Sequence, residues 1–359
     1  MFTLQTTVFI PLITAFVATI LATPISLFFI KKLGIVDDPK KHKHPAIIHK
    51  KPIPRAGGIP LFVGVLVASL VFLPIEKITI AIFLASFICL FVGVLDDKFD
   101  LSPYSRFVVN IVAAIIVVLA GVHVPFITNP FGGILFFNSL HLPFLGNIEL
   151  NFISYAIAVL WIVWVMNMLN WSKGVDGQMP GIVAISAIVI GILSLRFAVL
   201  DQYSLMGATL SFIIAGASLG FLIFNFYPAK IFPGYGATAI YLLLAVTSIF
   251  SGAKLATAIL VMGVPMTDGA FTIIRRVLTG HSPFWHDKKH LHHLLLDLGF
   301  GQRRIALFYW VVSAILGALS LVLSSKGKLF AIIMLVIIIG GAILFLHFFI
   351  ERNNDKTGI

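Results

Sequence analysis

Long uncharged stretches separated by short polar loops run from one end of this chain to the other. A continuous apolar run of about 20 residues predicts a membrane-spanning helix. The pattern therefore predicts an all-α, polytopic integral membrane protein with about 11 transmembrane helices. The eleven apolar runs lie at roughly residues 6–30, 59–75, 78–95, 106–122, 152–169, 180–197, 204–224, 236–251, 253–274, 304–323 and 329–350.

Composition narrows the class further. Hydrophobic residues make up 59% of the chain and charged residues only 11%, whereas a soluble domain carries about 25% charge. No unit of about 20–50 residues recurs, which argues against a repeat array. We therefore expect residues 1–359 to form a single polytopic domain, with no separate soluble domain.

The distribution of basic residues predicts an orientation. With the N-terminus outside, the inner loops hold 20 of the 25 Lys and Arg residues. Because basic residues accumulate on the cytoplasmic side, this bias predicts an outside N-terminus and a cytoplasmic C-terminus. Most of the net charge of +11 is accounted for in this way. No nucleic-acid partner is needed, although basic loops also attract anionic membrane lipid or an anionic substrate.

An acidic cluster at the end of the run 78–95 is the most informative motif. Asp96, Asp97 and Asp100 follow that uncharged run directly, and on a continuing helix Asp96 and Asp100 share a face. Carboxylates next to hydrocarbon are costly and mark functional sites. Their oxygens suit Mg²⁺, which commonly accompanies phosphate groups. The alternative is an ordinary solvated helix end.

Four other polar clusters fall in inner loops. The loop after the first run contains His49, Lys50 and Arg55, and the basic side chains suit phosphate groups. Asn167 and Asn170 lie three residues apart at a helix end and suit a nucleobase edge or sugar hydroxyls. Anchoring by positive charge and helix capping are the structural alternatives. The other inner-loop residues of interest are Lys173, Asp176, Asn225, Phe232, Arg275 and Arg276.

Three histidines crowd together late in the chain. His290, His292 and His293 are suited to bind phosphate when protonated or to act as acid–base groups. A zinc site would need a further ligand in good geometry, and no cysteine lies nearby. A solvated loop is the other alternative.

Every polar cluster lies on the predicted inner face, and this distinguishes an enzyme from a transporter. A transporter is expected to place its polar groups near the midplane, between broken helices. Clusters at one face instead suit an enzyme whose water-soluble substrate arrives from the cytoplasm and whose lipid substrate lies in the membrane.

Taken in order, the motifs between residues 31 and 299 resemble the polyprenyl-phosphate N-acetylhexosamine-1-phosphate transferase family, glycosyltransferase family 4. It includes undecaprenyl-phosphate N-acetylglucosaminyl-1-phosphate transferases and phospho-N-acetylmuramoyl-pentapeptide transferases. The run His-Leu-His-His at 290–293 resembles the N-acetylglucosaminyl branch. The resemblance implies that polyprenyl phosphate attacks the β-phosphate of a UDP-N-acetylhexosamine and releases UMP. It also implies a bacterial plasma membrane, with the active face cytoplasmic and a role in starting envelope polysaccharide synthesis.

The resemblance also implies residue roles. It places Mg²⁺, with Mn²⁺ as the alternative ion, near Asp96, Asp97 and Asn170. The expected catalytic residues are Asp96, Asp97, Asp100, His290, His292 and His293. The expected substrate-binding residues are His49, Lys50, Arg55, Asn167, Asn170, Lys173, Asp176, Asn225, Phe232, Arg275 and Arg276. The sugar, the polyprenol length and the oligomeric state stay open, a homodimer being one option.

Two positions depart from the family pattern. Lys173 and Tyr235 stand where the family usually has aspartate, and the second of those aspartates is a principal Mg²⁺ ligand. Both changes remove negative charge from the same predicted site. An alternative is therefore a catalytically impaired relative that binds lipid phosphate or nucleotide sugar. An intramembrane prenyltransferase would require two Asp-rich motifs, and this chain has one. A transporter is the remaining alternative.

Overall fold

The computed structural model describes residues 3–40, 48–137, 142–143, 149–150, 152–196, 201–250, 255–285 and 287–357. Within these ranges the chain is mostly helical. The α-helices are α1 (Ile10–Lys32), α2 (Gly58–Phe72), α3 (Lys77–Phe99), α4 (Pro103–Leu119), α5 (Phe152–Trp171), α6 (Gln178–Ser194), α7 (Gln202–Asn225), α8 (Thr238–Phe250), α9 (Leu255–Val261), α10 (Gly263–Leu278), α11 (Leu291–Asp297), α12 (Gln302–Val322) and α13 (Ser325–Thr357). A π-helical turn, Gln5–Phe9, precedes α1, and a 3₁₀ turn, Tyr235–Ala237, precedes α8.

Each predicted apolar run corresponds to helix, but fewer helices than predicted are long enough to cross a membrane. Among the residues that the structure describes, six helices meet that requirement by length and composition, or seven if α9 and α10 form one bent span. The helices α2, α4 and α6 have 15, 17 and 17 residues, below the roughly 20 that span hydrocarbon. A multi-pass membrane protein is therefore supported, whereas eleven spans and the orientation of the termini stay predictions.

Three short antiparallel ribbons lie between the helices in the described part of the chain. Strand β1 (Val36–Asp37) pairs with β2 (Ile53–Pro54), β3 (Phe126–Thr128) with β4 (Ile134–Phe136), and β5 (Leu142–Pro143) with β6 (Glu149–Leu150). The first ribbon matters for function because it closes the loop between α1 and α2 and fixes both of its ends. The predicted all-α class holds apart from these ribbons.

Helices α7 and α8 form the centre of the bundle. Nearly every residue of α8 is buried, and α7 packs against α1, α6 and α8. Apolar side chains on α1, α3 and α13, such as Leu21, Phe91 and Phe345, are more than half exposed. Large exposed apolar faces on a helical bundle are what a surrounding lipid phase covers.

Glycines allow a close backbone approach around the turn before α8. A Cβ on Gly58 or on Gly93 would overlap the backbone of Gly236, so α2 and α3 both meet the turn before α8 at a glycine. Because only glycine permits backbones to come this near, these positions set how α2 and α3 pack beside residues 234–237.

We expect Gly93→Ala to destabilise the fold by about 1–3 kcal/mol, as overpacking of a tight interior usually does. The added methyl group would meet the Gly236 backbone, which cannot move away as a flexible side chain would. Thermal unfolding in detergent measures the change. Gly341→Ala in α13 is the matched control, since nothing lies within 4 Å of its added Cβ. Equal melting temperatures for both variants would contradict the tight contact.

Candidate active site

A cavity of about 660 Å³ opens where α3 and α5 end and where α4 and α6 begin. Most of the residues predicted from the sequence to form a site line this one cavity. They are His49, Arg55, Asp96, Asp97, Asp100, Asn167, Asn170, Lys173, Asp176, Asn225, Phe232, Arg276, His290, His292 and His293. Two predicted residues, Lys50 and Arg275, do not belong to the cavity wall.

Asp96 and Asp97, on the last turn of α3, are two adjacent buried acidic residues of the cavity. Arg106 donates to Asp96 Oδ2 at 3.2 Å, and Arg55 Nε lies 3.4 Å from Asp97 Oδ1. Side-chain exposure is 1% for Asp96 and 0% for Asp97. Burial of two adjacent carboxylates is costly unless cations compensate them. The two arginines supply that compensation.

The segment before α8 joins Asp97 to Lys173. The backbone N–H of Tyr235 donates to Asp97 Oδ1 at 3.0 Å, and Lys173 Nζ donates to the Gly234 carbonyl at 2.9 Å. Gly234 has φ of +67°, and a Cβ there would overlap Asp97 Oδ2. Glycine is therefore required twice at this position, for its backbone conformation and for its contact with the carboxylate.

Asp100 differs from the other two acidic residues. It ends α3 in a left-handed conformation with φ of 50°, and its N–H donates to the Asp96 carbonyl. Its side chain is exposed at the rim of the cavity. Aspartate tolerates this conformation better than most residues, so a helix-ending role explains Asp100 as well as the predicted catalytic one.

Asp176 and Asn225 fix the loops of the cavity wall. Asp176 Oδ2 accepts from the Ala229 N–H at 2.9 Å. Burial raises the pKa of Asp176, and the Ala229 N–H partly opposes that change. Asn225 accepts from the Gly177 N–H at 3.1 Å and donates to the Ile231 carbonyl at 2.8 Å. Asn225 thus uses both ends of its amide on the backbone of the cavity wall, and its predicted role in substrate binding stays a prediction.

The remaining predicted binding residues also lie on the wall. Asn167 Nδ2 donates to the Val163 carbonyl of its own helix at 2.8 Å, whereas Asn170 Oδ1 is buried without a partner among the described residues. The ring of His49 lies edge-on to Phe232, with centroids 5.1 Å apart. Asn170 therefore has the free acceptor that the prediction of a nucleotide contact requires.

The histidine motif begins at His290 and is held by Asp268 of α10. Asp268 Oδ2 lies 2.9 Å from His290 Nδ1, and Oδ1 accepts from the Leu291 N–H at 3.0 Å. A carboxylate that accepts from one ring nitrogen fixes the tautomer and leaves the other nitrogen to act. Asp268 is the positioning residue for His290.

His292 and His293 are neutral near pH 7. Burial, reinforced by the neighbouring His293, holds the pKa of His292 well below its usual range. Burial, together with His290, lowers the pKa of His293 to about 4. A Cβ on Gly174 would overlap the His292 ring, so the turn after Lys173 needs glycine to make room for this histidine. Neutral imidazoles offer the cavity one donor and one acceptor each.

Arg275 and Arg276 share one carboxylate, Asp287. Arg275 binds it at 2.7 Å and Arg276 at 3.1 Å. Although burial opposes it, Arg276 and the Lys289 N–H hold the pKa of Asp287 below its usual range. The Arg276 guanidinium also lies 5.4 Å from the centre of the Trp171 ring. Only Arg276 reaches the cavity, and Arg275 braces the loop behind it.

Three residues of clear structural importance to the site were not predicted: Arg106 and Asp287, which line the cavity, and Asp268, which holds His290. The sequence does contain a signal for Asp268, which is the single carboxylate in the apolar run 253–274. A carboxylate within a membrane span usually marks a functional site. Arg106 and Asp287 carry no comparable signal. Their partners, Asp96 and Arg276, become visible only once the chain has folded.

The donor set suits Mg²⁺ poorly. Asp96 Oδ1, Asp97 Oδ2 and Asn170 Oδ1 are buried oxygens without hydrogen-bond partners in the described structure. However, each carboxylate is already paired with an arginine, Asp96 with Arg106 and Asp97 with Arg55. In the described ranges, no group of three or more His, Cys, Asp or Glu side chains is arranged to hold a metal ion. Mg²⁺ keeps several of its waters and is held through one or two carboxylates, so these carboxylates would have to leave their arginines to hold it. The expected Mg²⁺ and the zinc alternative both stay predictions.

Comparison with known proteins identifies the chain's relatives. Residues 79–252 match the sequence profile of glycosyl transferase family 4. A probable undecaprenyl-phosphate N-acetylglucosaminyl 1-phosphate transferase of Bacillus subtilis is 32% identical over 343 residues, covering 91% of this chain and 90% of that protein. The chain belongs to glycosyl transferase family 4. This assignment confirms the predicted family and the predicted class of enzyme.

Two further relatives match over similar lengths. A decaprenyl-phosphate N-acetylglucosaminephosphotransferase of Mycobacterium tuberculosis is 31% identical over 362 residues, covering 92% of this chain and 86% of that protein. An undecaprenyl-phosphate alpha-N-acetylglucosaminyl 1-phosphate transferase of Escherichia coli is 28% identical over 326 residues, covering 85% and 82%. All three matches extend over most of the family member as well as most of this chain.

Proposed function

We propose that this enzyme transfers N-acetylglucosamine 1-phosphate from UDP-N-acetylglucosamine to a polyprenyl phosphate, releasing UMP. The observation that carries the proposal is the convergence of buried acidic, basic and histidine side chains on one cavity at the helix ends. The names of the relatives support the polyprenyl phosphate and N-acetylglucosamine. Undecaprenyl phosphate is the acceptor we favour.

In the proposed reaction, an oxygen of the lipid phosphate attacks the β-phosphorus of the nucleotide sugar. A new P–O bond forms, and the bond from the β-phosphorus to the bridging oxygen breaks. UMP leaves with that oxygen and its electron pair. The products are polyprenyl-diphosphate N-acetylglucosamine and UMP. Because both reactants are anionic, bringing them together and stabilising the spread charge is the main task of the enzyme.

We assign the lipid phosphate to the end of the cavity formed by Asp97. A carboxylate there accepts the proton of a singly ionised lipid phosphate, and a nearby arginine orients the phosphate oxygens. Arg55 is the arginine closest to Asp97. Asp96 keeps Arg106 in place through their ion pair.

We assign the nucleotide diphosphate to the part of the cavity where the histidine motif meets the turn at Lys173 and Gly174, since Gly174 lies against the His292 ring. The neutral His292 and His293 each present an N–H group to the departing phosphate. His290, whose Nδ1–H donates to Asp268, keeps its Nε2 free for acid–base work beside them. Hydrogen bonds aimed at charge that develops in the transition state are a large source of catalysis. Asn170 and Phe232 remain as contacts for the uridine.

The site is proposed to face the cytoplasm of a bacterial plasma membrane. The excess of basic residues in the loops at this end supports that orientation, as does a nucleotide substrate that is made inside the cell. Envelope polysaccharide synthesis is the proposed use of the lipid product.

Release of UMP by the purified, reconstituted protein tests the proposal. UDP-N-acetylglucosamine is supplied with and without undecaprenyl phosphate, in parallel samples with Mg²⁺ and with EDTA. We expect UMP to form only when the lipid is present. No UMP from UDP-N-acetylglucosamine in any sample would contradict the proposed function.

A further inference from the structure

One basic side chain of the cavity is held in place without a carboxylate partner. Lys173 Nζ donates to the Gly234 carbonyl at 2.9 Å and lies 5.7 Å from the centre of the Tyr235 ring. Within the described part of the chain, no carboxylate comes within 4.0 Å of this ammonium group. One hydrogen bond leaves two of its three N–H groups to donate elsewhere.

The other two cations beside Lys173 are already engaged. Arg106 binds Asp96 and also lies 5.2 Å from the centre of the Tyr235 ring. Arg55 lies between Asp97 at 3.4 Å and Asp37 at 4.0 Å. Lys173 is therefore the cation of this group that is most available to an incoming anion.

Charge balance in this group disfavours a divalent cation. Asp96 and Asp97 face three cationic side chains, which leaves one net positive charge. Asp37 contacts Arg55 from its other side, and if its charge is included, the net charge of the group is zero. A Mg²⁺ ion needs a surplus of negative oxygen ligands. A diphosphate brings negative charge and needs the opposite.

Tyr235 does not supply the missing ligand. Its hydroxyl accepts a hydrogen bond from Asn110 Nδ2 at 3.1 Å. Its ring instead forms a wall on which Arg106 and Lys173 both rest. An aromatic face stabilises a nearby cation, so Tyr235 helps to position the ammonium group of Lys173 rather than a metal ion.

We propose that the Lys173 ammonium group binds the diphosphate of the nucleotide sugar directly, so that the enzyme holds its donor substrate without a divalent cation. This inference rests on the proposed function for the identity of the donor. It concerns a single feature of the site, the positive charge built into the wall beside Asp97. Burial lowers the pKa of Lys173 to about 8, against the attraction of Asp97, so the group remains mostly charged at neutral pH.

Binding of UDP to the purified, chelator-washed protein tests the inference without turnover. Isothermal titration calorimetry is run in EDTA and again in Mg²⁺. We expect the same affinity in both. Lys173→Met keeps most of the length of the side chain and removes its charge. It should weaken UDP binding by about 10-fold or more, because a hydrogen bond to a charged group is lost. Lys173→Arg should retain binding in EDTA.

One control variant and one further variant make the result specific. The control, Lys230→Met, removes an equal charge from the exposed surface outside the cavity wall and should leave UDP affinity unchanged. Lys173→Asp adds a carboxylate beside Asp97, and we expect this variant to bind UDP only when Mg²⁺ is present. The melting temperature of each variant is measured to establish that the variant is folded.

The outcomes separate this inference from the proposed function. UDP binding that disappears in EDTA and returns with Mg²⁺ would overturn the inference, even if UMP release proves the transferase. Unchanged affinity in a folded Lys173→Met variant would also overturn it. Metal-independent UDP binding that depends on Lys173, in a protein that releases no UMP, would support the inference while the proposed function fails.

Discussion

Asp97→Asn is expected to lower UMP release by a factor on the order of 10² to 10⁴, the contribution of a well-placed proton acceptor. Asparagine keeps the shape of the side chain and can still accept the Tyr235 N–H bond that Asp97 receives at 3.0 Å. It cannot take a proton from the lipid phosphate, and it loses the ion pair with Arg55. The variant should therefore remain folded while catalysis falls.

Initial rates of UMP release, measured at saturating concentrations of both substrates, give the size of the effect. Asp297→Asn is the matched control, because Asp297 is exposed on α11 and lies outside the cavity wall. Its rate should equal that of the wild type. An Asp97→Asn enzyme that is folded and as fast as this control would remove Asp97 from the proposed chemistry.

The second large effect is expected at Asp268, a residue that does not need to touch either substrate. Asp268→Asn should reduce UMP release by roughly 10- to 100-fold, which is the usual cost of losing a residue that orients a functional histidine. The asparagine oxygen can still accept the Leu291 N–H. Its amide would then present an N–H to His290 Nδ1, where the carboxylate now accepts. The imidazole would be driven toward the wrong tautomer.

A melting temperature and a conservative variant distinguish this positioning role from a structural one. Asp268→Asn should melt near the wild-type temperature, since its size and its bond to Leu291 are retained. Asp268→Glu keeps the charge and should recover part of the lost rate. If Asp268→Asn unfolds early and Asp268→Glu recovers nothing, Asp268 serves only to stabilise α10.

Helix positions were predictable from the sequence because apolar runs specify them almost alone. Helix lengths were less predictable, because an apolar run can continue into the turn that follows the helix. The run 59–75, for example, continues past the end of α2 at Phe72. The run 253–274 contains Gly263 and Pro265, and the structure bends there by 85° between α9 and α10. Proline and glycine in an apolar run mark such breaks.

The composition of the site was predictable, but its internal pairing was not. Acidic, basic and histidine clusters on one predicted face do meet in one cavity. Tertiary packing decides which cation pairs with which carboxylate. The roles of Arg106 and Asp287 therefore could not be predicted from the sequence. Asn225 was predicted to bind substrate, yet its amide is bonded to Gly177 and Ile231. Lys173 and Tyr235 stood out as unusual, and only the structure puts them in contact.

The most direct measurement follows the transferred group itself. UDP-N-acetylglucosamine labelled with ³²P at the β-phosphate and with ¹⁴C in the sugar is incubated with the reconstituted enzyme and undecaprenyl phosphate. Transfer of sugar phosphate predicts that both labels enter the lipid in equal amounts, with one unlabelled UMP released for each. Entry of ¹⁴C into the lipid without ³²P, or UMP release with neither label in the lipid, would contradict it.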